Sequence, residues 1–220
     1  MTPFESRARG IALRYRPSGR FAEGFVLGKL RRDPLPRFVA GAALRPARAV
    51  DVGCGWGQLS ILLALEGAAD VVGLDWDTKK IAAARRAAEG LPVRFEEADL
   101  QADPIPDADL VLLADLLHYM PPAAQDALLA RAAAAVRPGG RIWVREMVRG
   151  RGLRSLLGIA SERFLAVWSW NQARTLSFRD AAALVGPIEA AGIACEVREM
   201  WGGTPYANVL VEGRKPVAGT

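Results

Sequence analysis

Residues 50–57, Val-Asp-Val-Gly-Cys-Gly-Trp-Gly, combine one acid with a glycine at every second position. An apolar run at 49–52 leads into them and another at 59–65 follows, an order that indicates strand, glycine loop and helix. Glycine adopts positive φ and lets a ligand approach the bare backbone. A loop of this kind at the carboxyl end of a strand is typical of sites for nucleoside ligands.

Asp51 narrows the choice of ligand. A carboxylate repels a pyrophosphate, whereas it attracts a cofactor that carries an ammonium and a sulfonium, so the motif favours S-adenosylmethionine (SAM) over NAD. The dinucleotide fingerprint G-x-G-x-x-G is also broken, because the third glycine, Gly57, comes one place early and is followed by Gln58. The Gly-Lys-Ser/Thr of a phosphate-binding P-loop is absent.

Strand and helix patterns alternate along the rest of the chain. We predict strands at 49–52, 70–75, 92–97, 109–114, 141–146, 194–200 and 207–211, and helices at 78–89, 122–136 and 181–191. Thr78 is the expected cap of the first of these helices, and residues 137–140 are expected to stop the second. The pattern predicts an α/β fold: a single doubly wound, Rossmann-like sheet of seven mostly parallel strands, with the last strand antiparallel.

Segments outside this alternation define the predicted domain organisation. Residues 1–47 form an N-terminal helical lid, and residues 48–213 form the cofactor-binding domain. Within that domain, residues 149–178 are an insertion that covers the substrate, with a helix at 153–170, and residues 214–220 are a tail.

Several motifs in fixed order make the resemblance specific. They are Val50 to Gly57, Val72-Gly-Leu-Asp75, Ala98-Asp-Leu100, Asp109 to Tyr119 and Arg137-Pro-Gly-Gly-Arg-Ile142. As a set they resemble the class I SAM-dependent methyltransferases. This resemblance implies SAM as cofactor, S-adenosylhomocysteine (SAH) as product, and a cofactor site made of Asp51, Gly53, Cys54, Gly55, Gly57, Asp75, Trp76, Ala98, Asp99, Leu100 and Ala114.

The resemblance also implies individual roles. Asp51 and the glycine-loop backbone would hold the methionine part of SAM. Asp75 would accept both ribose hydroxyls, with a strand-end or helix-capping acid as the alternative. Trp76 would cover the adenine, and Asp99 would take the adenine amino group unless it is simply a turn acid.

Three residues near the ends of the fourth and fifth strands are the candidate catalytic groups. Asp115, next to Ala114, would face the methionine ammonium and the methyl pocket. His118 would be a general base or an orienting group, or else a packing histidine. Glu146 would line the acceptor pocket, or else pair with Arg145 or Arg149.

Two further sets are candidate lid and substrate contacts. Tyr15 and Arg16 belong to the N-terminal lid that is expected to close over SAM. The residues expected to contact the acceptor are aromatic or amide side chains near the site and in the insertion: Tyr119, Phe164, Trp168, Trp170 and Asn171.

The preferred function is methyl transfer to oxygen or carbon of a small molecule that is apolar or aromatic with an acidic group, free or on an acidic carrier protein. The flanking regions, including Trp201-Gly-Gly-Thr-Pro-Tyr-Ala-Asn208, are similar to methyltransferases of bacterial aryl-polyene pigment pathways, which implies secondary metabolism. One alternative is an RNA or DNA methyltransferase, although the Asn/Asp-Pro-Pro-Tyr/Phe signature is missing after the fourth strand. The other is a non-catalytic SAM-fold binding protein.

Composition sets further bounds. Residues 1–48 hold eleven Lys and Arg against three acids, a balance of +8, while the remainder holds eighteen against twenty-one. Two cysteines, Cys54 and Cys195, indicate no disulfide framework, and a single histidine leaves no cluster suited to a metal. The absence of a secretory start and of a long apolar run predicts a cytoplasmic protein. Peripheral membrane contact through 153–170 stays open.

Overall fold

The computed structural model describes residues 2–149, 176–202, 204 and 206–217. The strands are β1 (Ala49–Val52), β2 (Val71–Asp75), β3 (Val93–Glu97), β4 (Ala108–Ala114), β5 (Val136–Met147), β6 (Ala194–Glu199) and β7 (Asn208–Arg214). The helices are α1 (Pro3–Arg14), α2 (Arg20–Arg32), α3 (Pro34–Gly41), α4 (Gln58–Leu65), α5 (Thr78–Ala87), α6 (Pro122–Ala135) and α7 (Ala181–Glu189). Short 3-10 turns lie at Arg16–Ser18 and Leu117–Tyr119.

The strands form one seven-stranded sheet in the order β3-β2-β1-β4-β5-β7-β6, with helices on both sides. β1 and β3 each pair with β2 in parallel, and β7 is antiparallel to both β5 and β6. The predicted fold class, with its last strand antiparallel, is therefore confirmed.

The chain divides into two compact units, Met1–Leu112 and Leu113–Thr220. In the first unit, every residue of β1 and β2 is buried, as expected of parallel strands covered on both faces. The segment before β1 forms the helices α1, α2 and α3. There α1 starts with a capping box between Thr2 and Glu5, and α3 starts at an Asp33 cap followed by proline.

Two local predictions are wrong: the cap residue of α5, although the helix does begin at Thr78 as predicted, and the start of β5. The cap of α5 is Asp77, whose carboxylate accepts the N–H groups of Lys79 and Lys80, while the Thr78 hydroxyl donates to Glu97. A carboxylate one residue earlier thus takes the capping position from the threonine.

β5 begins at Val136, five residues earlier than predicted, and includes the residues expected only to stop α6. Gly139 takes φ +80° there, and its N–H donates to the Lys215 carbonyl. In return, the Lys215 N–H donates to the Gly140 carbonyl. The predicted tail accordingly contributes to structure at 214–215, because Arg214 belongs to β7 and Lys215 pairs with the start of β5.

No helix among the described residues has the length and apolar character to span a membrane.

Candidate functional site

The glycine loop of the first unit turns sharply between β1 and α4. Gly53, Gly55 and Gly57 have φ values of +75°, +54° and +75°, a region that glycine occupies without steric cost. The N–H groups of Gly53 and Cys54 both donate to the Leu74 carbonyl, at 2.7 and 2.9 Å. The loop is therefore tied to β2, and its glycines are required by backbone conformation.

Phe95 is a part of this loop's support that the sequence reasoning missed. It is buried on β3, and a Cβ added at Gly73 would lie 2.5 Å from the Phe95 Cε1. The ring would likewise collide with a Cβ at Gly57. A single aromatic ring thus explains two glycines, one in β2 and one in the loop.

Asp75 joins the end of β2 to the glycine loop. One carboxylate oxygen accepts the Gly55 N–H at 2.8 Å, and the other accepts the Asp77 N–H at 2.9 Å. Each oxygen has a second lone pair, so the carboxylate keeps capacity for further donors. Trp76, the next residue, is 46% exposed and is available to cover a planar group.

Asp51 lies behind the loop, with its carboxyl group against α4. It is fully buried and accepts the Ser60 hydroxyl at 2.6 Å. Burial raises the pKa of Asp51 to about 7; the nearby Asp75 carboxylate adds to this rise and the Ser60 hydrogen bond opposes it. The carboxyl group therefore joins the end of β1 to α4.

The two predicted lid residues have different partners. Tyr15 is completely buried, and its hydroxyl donates to the Trp56 carbonyl in the glycine loop. Burial raises the pKa of Tyr15, so the hydroxyl remains a donor. The Arg16 guanidinium instead pairs with Glu23 of α2, at 2.9 Å. Only the tyrosine side chain of this pair contacts the predicted cofactor loop.

Residues 98–100 lead from β3 into a turn at 100–102. The exposed Asp99 accepts the Gln101 N–H at 2.9 Å, and its own N–H donates to Asp103 at 2.7 Å. Leu100 is buried, and the Ala98 N–H donates to the Asp75 carbonyl. The Asp99 carboxylate therefore already stabilises a turn, the alternative that the sequence left open.

The second unit brings His118 and Glu146 together. The His118 Nδ1 lies 2.6 Å from a Glu146 oxygen, and both residues are buried. The same carboxylate accepts the N–H groups of Leu117 and Met147, at 2.7 and 2.9 Å. A carboxylate that accepts on both oxygens takes a proton-bearing Nδ1, which makes Nε2 the basic atom of the imidazole.

Glu146 therefore contacts His118. Pairing of Glu146 with Arg145, which was one alternative, is not what the structure shows. Arg145 is buried and lies 2.6 Å from Asp115, and its carbonyl accepts the Asp115 N–H at 3.0 Å. Asp115 adopts φ +55°, which is uncommon for a residue with a side chain. It follows Ala114 at the end of β4, so the guanidinium neutralises the carboxylate predicted to face a methionine ammonium.

Aromatic rings enclose the His118 imidazole. Tyr119 lies 4.0 Å from it between ring centroids, and Phe178 stacks at 5.3 Å with planes 18° apart. Phe178 had no sequence signal, because it meets His118 only through folding. The other candidate acceptor contacts, Phe164, Trp168, Trp170 and Asn171, lie outside the described residues.

Comparison with known proteins decides the family. A family model described as a methyltransferase domain matches residues 49–140. The chain is 31% identical to the ubiquinone biosynthesis O-methyltransferase of Sinorhizobium fredii over 172 residues, which cover 75% of this chain and 67% of the relative. The chain belongs to the class I SAM-dependent methyltransferases.

Other relatives match over shorter shares of the chain. The ubiquinone biosynthesis O-methyltransferase of Photorhabdus laumondii is 31% identical over 64% of the chain and 60% of the relative. The trans-aconitate 2-methyltransferase of Methylobacterium nodulans is 40% identical over 43% and 36%. The chain thus spans less than two thirds of the length of both.

A solved structure shows the same methyltransferase fold. The O-methyltransferase family protein from Burkholderia thailandensis superimposes with a TM-score of 0.74 at 20% identity, over 94% of this chain and 63% of that one.

The described residues fit the methyltransferase cofactor SAM. A Cβ at Gly55 would meet no atom within 4 Å, so the surface over this glycine is open to a ligand. Asp75 beside it has lone pairs left for a vicinal diol. Both features suit a nucleoside that lies against the bare backbone. Neither of them involves a side chain that would bind a phosphate.

Proposed function

We propose that this protein transfers a methyl group from SAM to an oxygen atom of a small-molecule acceptor. The observation that carries the proposal is the buried His118–Glu146 pair in a member of the methyltransferase family. The relatives named O-methyltransferases support oxygen as the methylated atom.

Cofactor binding is assigned to the first unit. Asp75 would accept the ribose hydroxyls, the backbone of the glycine loop would hold the methionine part, and Trp76 would cover the adenine. When bound, SAM supplies a methyl group on a positively charged sulfur. Tyr15 would hold the loop in shape through the Trp56 carbonyl.

His118 acts on the acceptor. A hydroxyl becomes a good nucleophile when its proton leaves, and the basic Nε2 of His118 takes that proton while Glu146 holds Nδ1. The new bond joins the acceptor oxygen to the methyl carbon as the carbon–sulfur bond breaks, with SAH as the second product. The proton then passes from His118 to water.

The acceptor class is inferred from the aromatic rings that surround the proposed base. An apolar or aromatic body suits the Tyr119 and Phe178 rings beside His118.

For delivery we propose an acidic carrier protein on the solvent face of α2. Phe21 is 77% exposed there, with Arg20, Arg31 and Arg32 also exposed. These cations and residues 1–48 as a whole complement an acidic partner.

Calorimetric titration with SAH tests the cofactor assignment. The wild-type protein and an Asp107→Ala control, which alters an exposed acid, should bind SAH but not NADH. Asp75→Ala should weaken SAH binding at least about tenfold, because the ribose acceptors and the Gly55 contact are lost. Binding of NADH, or equal SAH affinity in all three proteins, would contradict the assignment.

A screen of hydroxylated aromatic acids tests the reaction. With the acceptor that turns over, His118→Ala should lower kcat by roughly 10²–10⁴-fold. SAH affinity should stay unchanged, since His118 is assigned to the acceptor and not to the cofactor. Full turnover by His118→Ala at saturating acceptor would rule out the general base.

A further inference from the structure

Residues 176–179, which we name the strap, lie across the His118 turn. The Ser177 N–H donates to the His118 carbonyl at 2.8 Å, and Phe178 stacks on the His118 ring. At the end of the strap, the Arg179 carbonyl accepts the Arg149 N–H at 2.8 Å. The strap therefore contacts both the backbone and the ring of the proposed base.

Gln125 fastens the strap to the turn. Its side chain is 1% exposed, and its amide nitrogen donates to the carbonyls of Met120 and Ser177, each at 2.9 Å. Met120 immediately follows the 3-10 turn that contains His118. One NH2 group thus joins the end of the turn to the strap, and both of its hydrogens are used.

The imidazole is therefore fixed from two directions. Glu146 determines which nitrogen carries the proton, because it accepts from Nδ1. The strap determines how the ring plane lies, because Phe178 covers one side and Ser177 holds the His118 backbone. Proton transfer depends steeply on this orientation.

We infer that Gln125 is a positioning residue for His118, acting through Ser177 and Phe178 of the strap. This inference rests on the proposed function, in which His118 is the base. Gln125 makes no contribution to the chemistry itself. It keeps Nε2 pointing in one direction. The position of Gln125 in α6 gives no sign of this role in the sequence.

The single histidine of the chain makes the inference directly measurable. In protein labelled with 15N-histidine, one imidazole gives all the signals, and long-range 1H–15N spectra report its tautomer without any acceptor. The wild-type protein should show one neutral tautomer, protonated at Nδ1. Gln125→Met removes both donors at similar size and should change the imidazole ring shifts, while Glu146 still holds the proton on Nδ1.

Two more variants and a control complete the experiment. Gln125→Glu keeps the shape but sets a carboxylate against two carbonyl oxygens, so it should change the histidine signals in the same direction. Phe178→Leu alters a half-buried residue of the strap without touching Gln125. If the buried Gln125 variants do not fold, a fall in kcat at unchanged SAH affinity in Phe178→Leu tests the strap instead. Gln101→Met, in an exposed turn, should leave the signals unchanged.

Failure of the inference is distinguishable from failure of the proposed function. A folded Gln125→Met protein with the wild-type ring shifts would overturn the positioning role, whatever the enzyme methylates. If the signals change, kcat should fall about tenfold or more in that variant while the KM for SAM stays constant. A changed signal with unchanged kcat would overturn the link to catalysis.

Discussion

Asp51 is a carboxyl group whose protonation is linked to folding. Its pKa is about 7 in the folded protein because burial disfavours the charge, against an ordinary value of 3.8. Between these values the folded state retains a proton that the unfolded state releases. The stability from this group is therefore complete below the ordinary pKa and is lost as the pH rises toward 7.

The predicted result is a difference in slope between wild type and Asp51→Asn. The wild-type free energy of unfolding should fall by about 1 kcal/mol per pH unit relative to the variant between about pH 5 and 7. Urea unfolding at several pH values measures this. Asp107→Asn, at an exposed position, should keep the wild-type slope. Parallel curves for wild type and Asp51→Asn would show that Asp51 does not titrate in this range.

The part of the site that could be predicted from the sequence consists of single residues near strand ends. The glycine loop, Asp75, His118 and Glu146 follow from local motifs, since each lies at or just after a predicted strand. Their partners did not follow. Glu146 meets His118 across 28 residues, and Phe178 meets it through the strap. Contacts of this kind depend on tertiary packing and leave no local pattern.

At the scale of elements, the contact of β2 with β3 predicts that a methyl group added at Gly73 destabilises the protein. Gly73→Ala places a Cβ 2.5 Å from Phe95 Cε1 and 3.0 Å from the Cys54 Sγ. Overpacking of this kind should cost about 1–3 kcal/mol of unfolding free energy. In a Phe95→Leu background the cost should shrink, because the ring that collides is gone. Denaturant unfolding of the double-mutant cycle measures that coupling.

The same substitution in α2 provides the control. A Cβ at Gly24 would meet no atom within 4 Å, so Gly24→Ala should stabilise the protein by about 0.5–1 kcal/mol through helix propensity. Equal destabilisation at both positions, or no coupling with Phe95, would mean that steric contact is not the cause.

The carboxyl end of α6 depends on a lysine that was assigned to the tail. The Lys215 Nζ donates to the carbonyls of Val136 and Ala134, at 2.7 and 3.2 Å. Lys215→Met keeps the aliphatic stem and should cost about 0.5–1.5 kcal/mol in thermal unfolding. Lys79→Met, near the amino end of α5, should be neutral or slightly stabilising. An unchanged Tm in Lys215→Met would mean that water replaces the ammonium without loss.

The order of the elements was predictable, and so were ends that follow from local signals, such as Ala49–Val52 for β1; the start of β5 was not. The apolar runs of β1 and β4 are local signals that survive any tertiary context. The start of β5 is different. In the sequence Gly139 and Gly140 are typical of a turn, and they belong to the strand only because they pair with Lys215, 75 residues further along the chain. Likewise, Asp77 and Thr78 are both good caps, and only the Glu97 contact draws Thr78 away from that role.

Across the whole molecule, the uneven charge predicts where an acidic carrier binds. Replacing Arg20, Arg31 and Arg32 with glutamine should weaken binding of an acyl carrier protein roughly tenfold at low salt. The same number of charges removed at Arg137, Arg141 and Arg214 should have a smaller effect. Equal losses would indicate non-specific attraction. Tighter, salt-sensitive retention of tRNA would favour the RNA methyltransferase alternative instead.

β7 follows β6 along the chain, yet it lies between β5 and β6. Both neighbours therefore leave the ribosome before the strand that joins them. On the nascent chain, β6 has no neighbour to pair with, and β5 offers an open edge of the kind that recruits other chains. A stop codon at the start of β7 would remove this strand with every residue after it and leave two separated strands, so late truncations should increase aggregation and demand for chaperones during synthesis.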